Sequence, residues 1–191
     1  GFTLVDEIYL GLTYDGAART ALELGEDVIV VNSFSKYFSM TGWRLGWLVV
    51  PQALVGAFEK LAQNLFICAS TLAQNAALAC FSPESGAIFE ARRHEFRQRR
   101  DAVVTAMTAL GFGVPVIPDG AFYVWLDCSR FGDSRLLAKR LLEEAHVSLV
   151  PGQDFGANEP GRWMRLSYAN SMDNLLEAAR RIGAVLRSER Y

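Results

Sequence analysis

A short segment near the start of the chain concentrates side chains that can do chemistry. The run SFSKYFSMTGWRLGW, residues 33–47, places two hydroxyls and an amine within four residues, at Ser33, Ser35 and Lys36. Arg44 follows between two glycines, and the rest of the run is largely apolar and aromatic. A lysine that such surroundings desolvate loses part of its preference for the ammonium form, and this makes it a candidate nucleophile toward a carbonyl group.

A second polar group lies in the sequence DEIY, which contains Asp6 and Tyr9 and follows the apolar run FTLV. The apolar run DVIVVN likewise ends directly before Ser33. In doubly wound sheets, ligands bind outside the carboxyl ends of the strands, so both groups are candidate ligand contacts. Taken alone, Asp6 is equally typical of a turn cap, and a lone loop lysine is typical of a solvated charge.

The elements that must position these residues can be read from the hydrophobic pattern. FTLV, DVIVVN and WRLGWLVV are short apolar runs that predict strands buried on both faces, as in a parallel sheet covered by helices. Between Pro51 and Ser82 the pattern predicts two helices, separated at LFICAS. A long helix follows over about 84–110, and two glycines after it are a helix-stop signal.

Beyond the long helix, the pattern changes to short strands, predicted at VPVIP, AFYVWLDC, VSLVPG and WMRLSYA. Two helices, near SRLLAKRLLEEA and MDNLLEAARRIGAVLRSE, interleave with them. The whole pattern predicts an α/β protein with two parts. Residues 1–83 form part of a larger, mostly parallel α/β unit, and residues 84–191 form a smaller α+β unit.

Composition excludes several classes of protein. The chain has 191 residues, with 19 basic and 21 acidic side chains and a net charge of -2, and so lacks the basic excess of a nucleic-acid-binding domain. Three cysteines without a CxxC pair predict neither disulfides nor a zinc site, and no other metal-ligand spacing occurs. Neither an 18-residue apolar stretch nor a signal-peptide pattern is present. We therefore expect a cytoplasmic protein with no nucleic-acid or membrane partner.

The run SFSK…TGWRLG, with DEIY upstream and GAFYVWLD and RWMRLSYA downstream, resembles the class I/II pyridoxal-phosphate aminotransferases of fold type I. The resemblance covers nearly the whole chain and corresponds to the C-terminal half of such an enzyme. It implies that residues 1–83 are the later part of the large cofactor-binding domain and residues 84–191 the small domain. Because the chain starts with Gly and a strand, we expect it to be trimmed or the later part of a longer protein. We expect the 191 residues alone to be inactive.

The resemblance implies a role for three residues around the cofactor, pyridoxal 5′-phosphate. Lys36 matches the lysine that holds the cofactor as an internal aldimine and moves the proton between the substrate's α-carbon and the cofactor's C4′ carbon. Asp6 matches the carboxylate that keeps the pyridine nitrogen protonated. Tyr9 matches the phenol that hydrogen-bonds the ring oxygen.

Further residues match positions at which the family binds anionic groups. Ser33, Ser35 and Arg44 correspond to the groups that bind the cofactor phosphate, for which hydroxyls and a guanidinium fork are suited. Arg165 corresponds to the arginine that binds the substrate's α-carboxylate, whereas Arg162 is expected to be solvated. Two further residues, Ser70 and Thr71, fall where some relatives reach the neighbouring subunit's phosphate, or they form a helix N-cap.

The family resemblance leaves three functions open. The leading one is an aminotransferase, homodimeric at full length, that moves an amino group between an amino acid and a 2-oxo acid. A carbon–sulfur lyase of the same fold is the second. The third is the ligand-sensing domain of a transcription regulator, which requires a DNA-binding segment upstream. The motifs do not identify the substrate's side chain.

Overall fold

The computed structural model describes residues 1–188 and divides into two compact units, one from Gly1 to His94 and one that begins at Glu95. The predicted end of the last helix at Glu189 and the last residues of the predicted small domain lie outside the described residues. The division falls inside a long helix, whereas the predicted domain boundary lies where that helix begins. That boundary stays a prediction.

The first unit is built on a three-stranded sheet of β1 (Thr3–Asp6), β2 (Val28–Ser33) and β3 (Gly46–Val49), in the order β1-β2-β3. β1 and β2 are parallel, as predicted. β3 is antiparallel to β2, which corrects the expectation of a parallel third strand. The physical reason is the connection: the loop between them contains only a three-residue 3-10 turn, and not the crossover helix that usually links parallel neighbours.

Burial in this sheet is confined to the central strand. Ile29 and Val30 of β2 are buried, whereas Leu4 of β1 and Leu48 of β3 are 62% and 49% exposed. Within residues 1–188, β1 and β3 are therefore not buried on both faces. These are the two edge strands, each with a single neighbour, and the described residues leave them largely uncovered.

Three helices follow β3. They are α1 (Val55–Leu65), α2 (Thr71–Leu78) and α3 (Pro83–Leu110), so the predicted pair of helices and the long helix are confirmed. α3 ends at Leu110. Gly111 follows it with a φ of 100° that suits glycine, and the amide of Phe112 donates to the carbonyl of Met107 across 3.1 Å. This is the Schellman closure of a helix C-terminus.

The second unit contains β4 (Tyr123–Asp127), β5 (Val150–Pro151) and β6 (Trp163–Ser167), an antiparallel sheet in the order β4-β6-β5. Its helices are α4 (Ser134–Ala145) and α5 (Met172–Arg187). The strand predicted at VPVIP does not form. Two of its five residues are prolines, which cannot donate to a sheet, and only an isolated bridge joins Gly113 to Asp127.

The two faces of this second sheet differ because side chains alternate along a strand. The core face carries the buried residues Val124, Leu126, Met164 and Leu166. The opposite face carries aromatic and basic residues, and these include Tyr123, Trp125, Trp163 and Arg165. Within residues 1–188, no helix combines the length and the apolar character needed to cross a bilayer.

Candidate active site

Lys36 lies in the loop that leaves β2, and the backbone of that loop is held by its own hydrogen bonds. The amide of Phe34 donates to the carbonyl of Leu45 across 3.1 Å, and that of Met40 donates to the carbonyl of Phe34 across 3.0 Å. The side chains of these three apolar residues are buried in a cluster with two alanines of α2. The apolar anchors fix the loop on both sides of Lys36, which is half-buried.

The turn after β1 brings Tyr9 to this lysine. Because β1 and β2 are parallel, their carboxyl ends meet at the same edge of the sheet, and Asp6 lies opposite Val31. The Nζ atom of Lys36 is 5.7 Å from the centre of the Tyr9 ring. The structure therefore brings the lysine and the tyrosine together at the edge where the sequence placed them.

Asp6, the last residue of β1, is exposed, and its Oδ1 atom accepts a hydrogen bond of 3.0 Å from the amide of Ile8. This hydrogen bond is the one expected of a turn cap at Asp6. A carboxylate has about four acceptor positions on two oxygens, so this bond leaves capacity for a cationic partner.

Glu7, which was not among the residues predicted for the site, organises the same turn. Its side chain is buried, and its carboxylate accepts bonds of 3.0 Å from the hydroxyl of Thr20 and 2.6 Å from the amide of Ala21. Its own amide donates to the carbonyl of Val31 across 2.8 Å. Glu7 therefore ties residues 20–21 to the end of β1, and no local pattern in the sequence distinguishes it from the neighbouring Asp6.

The two candidate phosphate-binding serines are not equivalent. The Ser33 hydroxyl has one proton and two acceptors within reach inside the chain, the carbonyl of Leu45 at 3.1 Å and the Ser35 Oγ atom at 2.9 Å. It also accepts a bond of 3.0 Å from the amide of Ser35. The Ser33 proton is thus engaged within the loop. The Ser35 hydroxyl is buried, and its oxygen is the other possible acceptor of the single Ser33 proton.

Arg44 ends the short turn Thr41–Trp43 in a left-handed conformation, with φ 52° and ψ 51°. This conformation costs a non-glycine residue about 1–2 kcal/mol. The Arg44 side chain is exposed, and its Nη1 atom donates to the carbonyl of Thr41 across 3.0 Å. That bond uses one of the five N–H donors of the guanidinium, and so most of its donor fork remains for an anion.

A further set of contacts links the lysine loop and the Tyr9 turn to α3. The Tyr37 hydroxyl donates to Glu90 across 2.6 Å, and Arg93 donates to Glu90 across 2.6 Å and to the carbonyl of Thr13 across 2.8 Å. Burial, with the nearby Glu90 carboxylate, raises the pKa of Tyr37 to about 12. No local sequence pattern predicts these contacts, because the partners are 53 and 80 positions apart along the chain.

Arg165 belongs to the second unit and lies on β6, the central strand, opposite Trp125 and Val150. Its guanidinium carbon is 4.2 Å from the centre of the Tyr123 ring and 4.6 Å from that of Phe155. Its Nε atom is buried and has no hydrogen-bond partner in the part of the chain that the structure describes.

Arg162, three residues earlier, has a different environment. Its guanidinium lies 2.7 Å from a carboxylate oxygen of Asp127 and 3.3 Å from one of Glu159. The hydrogen bond from Arg162 lowers the pKa of Asp127 to about 2. The exposed position expected for Arg162 is confirmed, and its charge is neutralised by partners in the chain.

Ser70 occupies the N-cap position of α2, with Thr71 as the first helical residue. The Ser70 side chain accepts no capping hydrogen bond. The position thus agrees with a helix start, and contact with a phosphate of another subunit stays a prediction.

Comparison with known proteins identifies the family of this chain. The family model described as aminotransferase class I and II matches residues 1–182. The chain belongs to this family. A valine–pyruvate aminotransferase of Mycobacterium tuberculosis is 40% identical over 187 residues, which cover 96% of this chain and 48% of that protein. A (5-formylfuran-3-yl)methyl phosphate transaminase of Methanocaldococcus jannaschii is 39% identical over 184 residues, 95% of this chain and 49% of that protein.

Solved structures agree with the family assignment. A Methanococcus jannaschii protein, described as similar in its active site to kynurenine aminotransferases, superimposes with a TM-score of 0.92 at 39% identity. The superposition covers 97% of this chain and 50% of that one. The fold is therefore that of part of an aminotransferase. The chain spans about half the length of the curated relatives it matches.

Proposed function

We propose that the protein is an aminotransferase that moves an amino group between an amino acid and a 2-oxo acid, with pyridoxal 5′-phosphate as its cofactor. The observation that carries the proposal is the placement of Lys36 beside Tyr9, at the sheet edge where Asp6 ends β1. Membership of the aminotransferase class I and II family supports it.

The donor set of the first unit fits this cofactor. A half-buried amine at Lys36 suits its aldehyde, and the Asp6 carboxylate suits a protonated pyridine nitrogen. The phosphate needs hydrogen-bond donors, for which the Ser33 and Ser35 hydroxyls, 2.9 Å apart, and the Arg44 guanidinium are suited. When bound, the cofactor supplies an electron sink for the carbanion at the substrate's α-carbon.

The chain's own groups perform the remaining tasks. With the cofactor bound, the Lys36 amine would move a proton between the substrate's α-carbon and the cofactor's C4′ carbon. The half-buried position of Lys36 limits the exposure of this amine to water. The Asp6 carboxylate would keep the pyridine nitrogen protonated. The Tyr9 hydroxyl would donate a hydrogen bond to the ring oxygen. In the second unit, Arg165 binds the α-carboxylate shared by amino acid and 2-oxo acid.

The test is a transamination assay with the full-length protein and added pyridoxal 5′-phosphate. L-valine or L-aspartate is the amino donor, pyruvate or 2-oxoglutarate the acceptor, and the new amino acid is quantified. We expect turnover that requires both substrates. Release of ammonia and a thiol from L-cystathionine without an acceptor would instead establish a carbon–sulfur lyase. Substrate binding with neither reaction would favour a ligand-sensing domain.

We also infer that the full-length protein is a cytoplasmic homodimer. The exposed apolar side chains of α1 and α2, which include Leu61, Leu65 and Leu72, are compatible with a subunit interface. Sedimentation equilibrium of the full-length protein measures the assembly state, and cell fractionation measures the location. A monomer at micromolar concentration would contradict the inferred homodimer.

A further inference from the structure

Two aromatic rings stabilise the positive charge of Arg165, but no carboxylate in residues 95–188 neutralises it. No carboxylate of residues 95–188 forms an ion pair with it, and its buried Nε–H has no acceptor there. A buried donor without an acceptor costs free energy, so such a group calls for an explanation in a native structure.

Two other arginines of this unit differ from it. Arg162 donates to two carboxylates, those of Asp127 and Glu159. Arg99 also has a buried Nε atom without a partner, but its guanidinium pairs with Glu95. Both of these arginines also lie over a ring, Arg162 over Trp163 at 4.7 Å and Arg99 over Phe96 at 5.3 Å. Arg165 differs from them because it contacts two rings and forms no ion pair within residues 95–188.

The rings of Tyr123 and Phe155 explain how the charge is tolerated. An aromatic face attracts a cation through its quadrupole, and the attraction is stronger when the cation is desolvated. A ring, however, offers no oxygen to accept the N–H bonds. The guanidinium is thus held in place with its donor fork still available, and the ordering cost of binding is reduced before any ligand arrives.

The position of Phe155 is fixed by the backbone beneath it. Phe155 ends a 3-10 turn that begins at Gly152, where an added Cβ atom would lie 2.4 Å from the carbonyl oxygen of Pro160. The fully buried Ser134 hydroxyl donates to that same oxygen across 2.8 Å. The Phe155 ring also meets the Trp125 ring edge-on, with centroids 5.2 Å apart.

We propose that Phe155 and Tyr123 are positioning residues for Arg165, which they hold unpaired and oriented so that it binds the carboxylate of the substrate. The inference rests on the proposed function for the identity of that carboxylate. It predicts that carboxylate affinity depends on two rings that donate no hydrogen bond to the ligand themselves.

Binding is the first test, because it does not require turnover. Isovalerate carries a carboxylate but neither an amino nor a keto group, and isovaleramide is its neutral counterpart. Calorimetric titration of the full-length holoenzyme should give a Kd for isovalerate that rises roughly three- to thirtyfold in Phe155→Leu. Phe155→Tyr keeps the ring, and its Kd for isovalerate should stay within about twofold of the wild-type value. The Kd for isovaleramide should be the same in Phe155→Leu as in the wild type.

Matched variants distinguish a loss of Arg165 positioning from a general loss of folding stability. Phe155 is 45% exposed, so its shortening to Leu leaves the core intact. Tyr123→Leu is the independent second variant, and Tyr123→Phe is its ring-preserving partner. Phe131→Leu removes a ring that packs on Phe112, 4.7 Å away, in the same unit without touching Arg165, and should leave isovalerate affinity unchanged.

Kinetics give the second readout. Loss of either ring should raise the KM for amino acid and 2-oxo acid by a similar factor and leave kcat within about twofold, since both substrates share the carboxylate. Unchanged isovalerate affinity in both leucine variants would overturn the inference, as would an equal loss in Phe131→Leu. Absent transamination with ring-dependent isovalerate binding would overturn the proposed function alone.

Discussion

At the scale of single residues, Lys36 and Arg165 both lie beside aromatic rings. Lys36 is half-buried beside the Tyr9 ring in a loop anchored by apolar side chains. Arg165 rests against two rings on a central strand. Arg162, by contrast, is neutralised by Asp127 and shows what an arginine with a purely structural role looks like in this fold.

The role of Lys36 is tested by trapping the cofactor. Borohydride reduction of the full-length protein with bound pyridoxal 5′-phosphate should attach the cofactor to the peptide that contains Lys36, which mass spectrometry identifies. Lys36→Ala should lose this adduct and should also lose transamination by several orders of magnitude, because the proton-transfer group is gone. The exposed Lys60 and Lys139 are internal controls. A reduced adduct on either of them would refute the assignment.

Asp127 gives a pH-dependent prediction. Its folded-state pKa of about 2 lies below its ordinary value of 3.8, so the stability it contributes is present above about pH 4 and is lost as pH falls toward 2. Asp127→Asn should lower the free energy of unfolding at pH 7 by about 1–2 kcal/mol. In urea unfolding, the difference from the wild type should shrink between pH 4 and pH 2.

The control for this pair is Glu159→Gln, which alters the more exposed partner of Arg162. We expect it to cost less than about 0.5 kcal/mol, as is usual for surface ion pairs. A pH-independent difference between Asp127→Asn and the wild type would mean that the side chain contributes through packing and not through its charge.

At the scale of elements, the contacts of Tyr37 join the lysine loop to α3. Tyr37→Phe keeps the ring contacts with Phe38 and Phe89 but removes the hydrogen bond to Glu90. We expect a loss of about 1 kcal/mol in the free energy of unfolding, because a single hydrogen bond is removed. A double-mutant cycle with Glu90→Gln, measured by urea unfolding, should show coupling between the two positions. Additive effects would mean that the hydrogen bond contributes nothing.

At the scale of the whole molecule, the chain spans about half the length of its relatives. Its first unit exposes large apolar side chains, among them Phe2 at 74% and Leu24 at 82%. Such exposure favours self-association and loosened packing. We therefore expect the 191-residue chain alone to bind pyridoxal 5′-phosphate weakly and to show no transamination.

Titration of the purified 191-residue chain with pyridoxal 5′-phosphate, followed by absorbance, checks this expectation. Lys36→Ala is the control for nonspecific reaction with surface amines. A stable long-wavelength band in the wild type that is missing in the control, together with measurable turnover, would prove that these residues suffice for activity.

Local features of the sequence determined the existence of most elements. Apolar runs predicted β1, β2 and β4, and helical periodicity with a glycine stop predicted α3 and its end before Gly111. The same local pattern placed the lysine loop and the DEIY turn after two predicted strands, as candidate ligand contacts. Short-range pattern is enough for these features, since each depends on residues within one or two elements.

Tertiary structure alone decided the rest. The antiparallel direction of β3, the burial of Glu7 and the engagement of the Ser33 proton depend on which segments meet. The Tyr37–Glu90 and Arg93–Thr13 hydrogen bonds join residues 53 and 80 positions apart. Arg165 and Arg162 both lie near β6 and both contact aromatic rings. Only the packed carboxylates of Asp127 and Glu159 make Arg162 part of an ion pair and leave Arg165 as the candidate ligand contact. The periodicity of apolar residues predicts which face of an element a side chain occupies. The residue that this side chain contacts belongs to another part of the chain, so local pattern does not predict it.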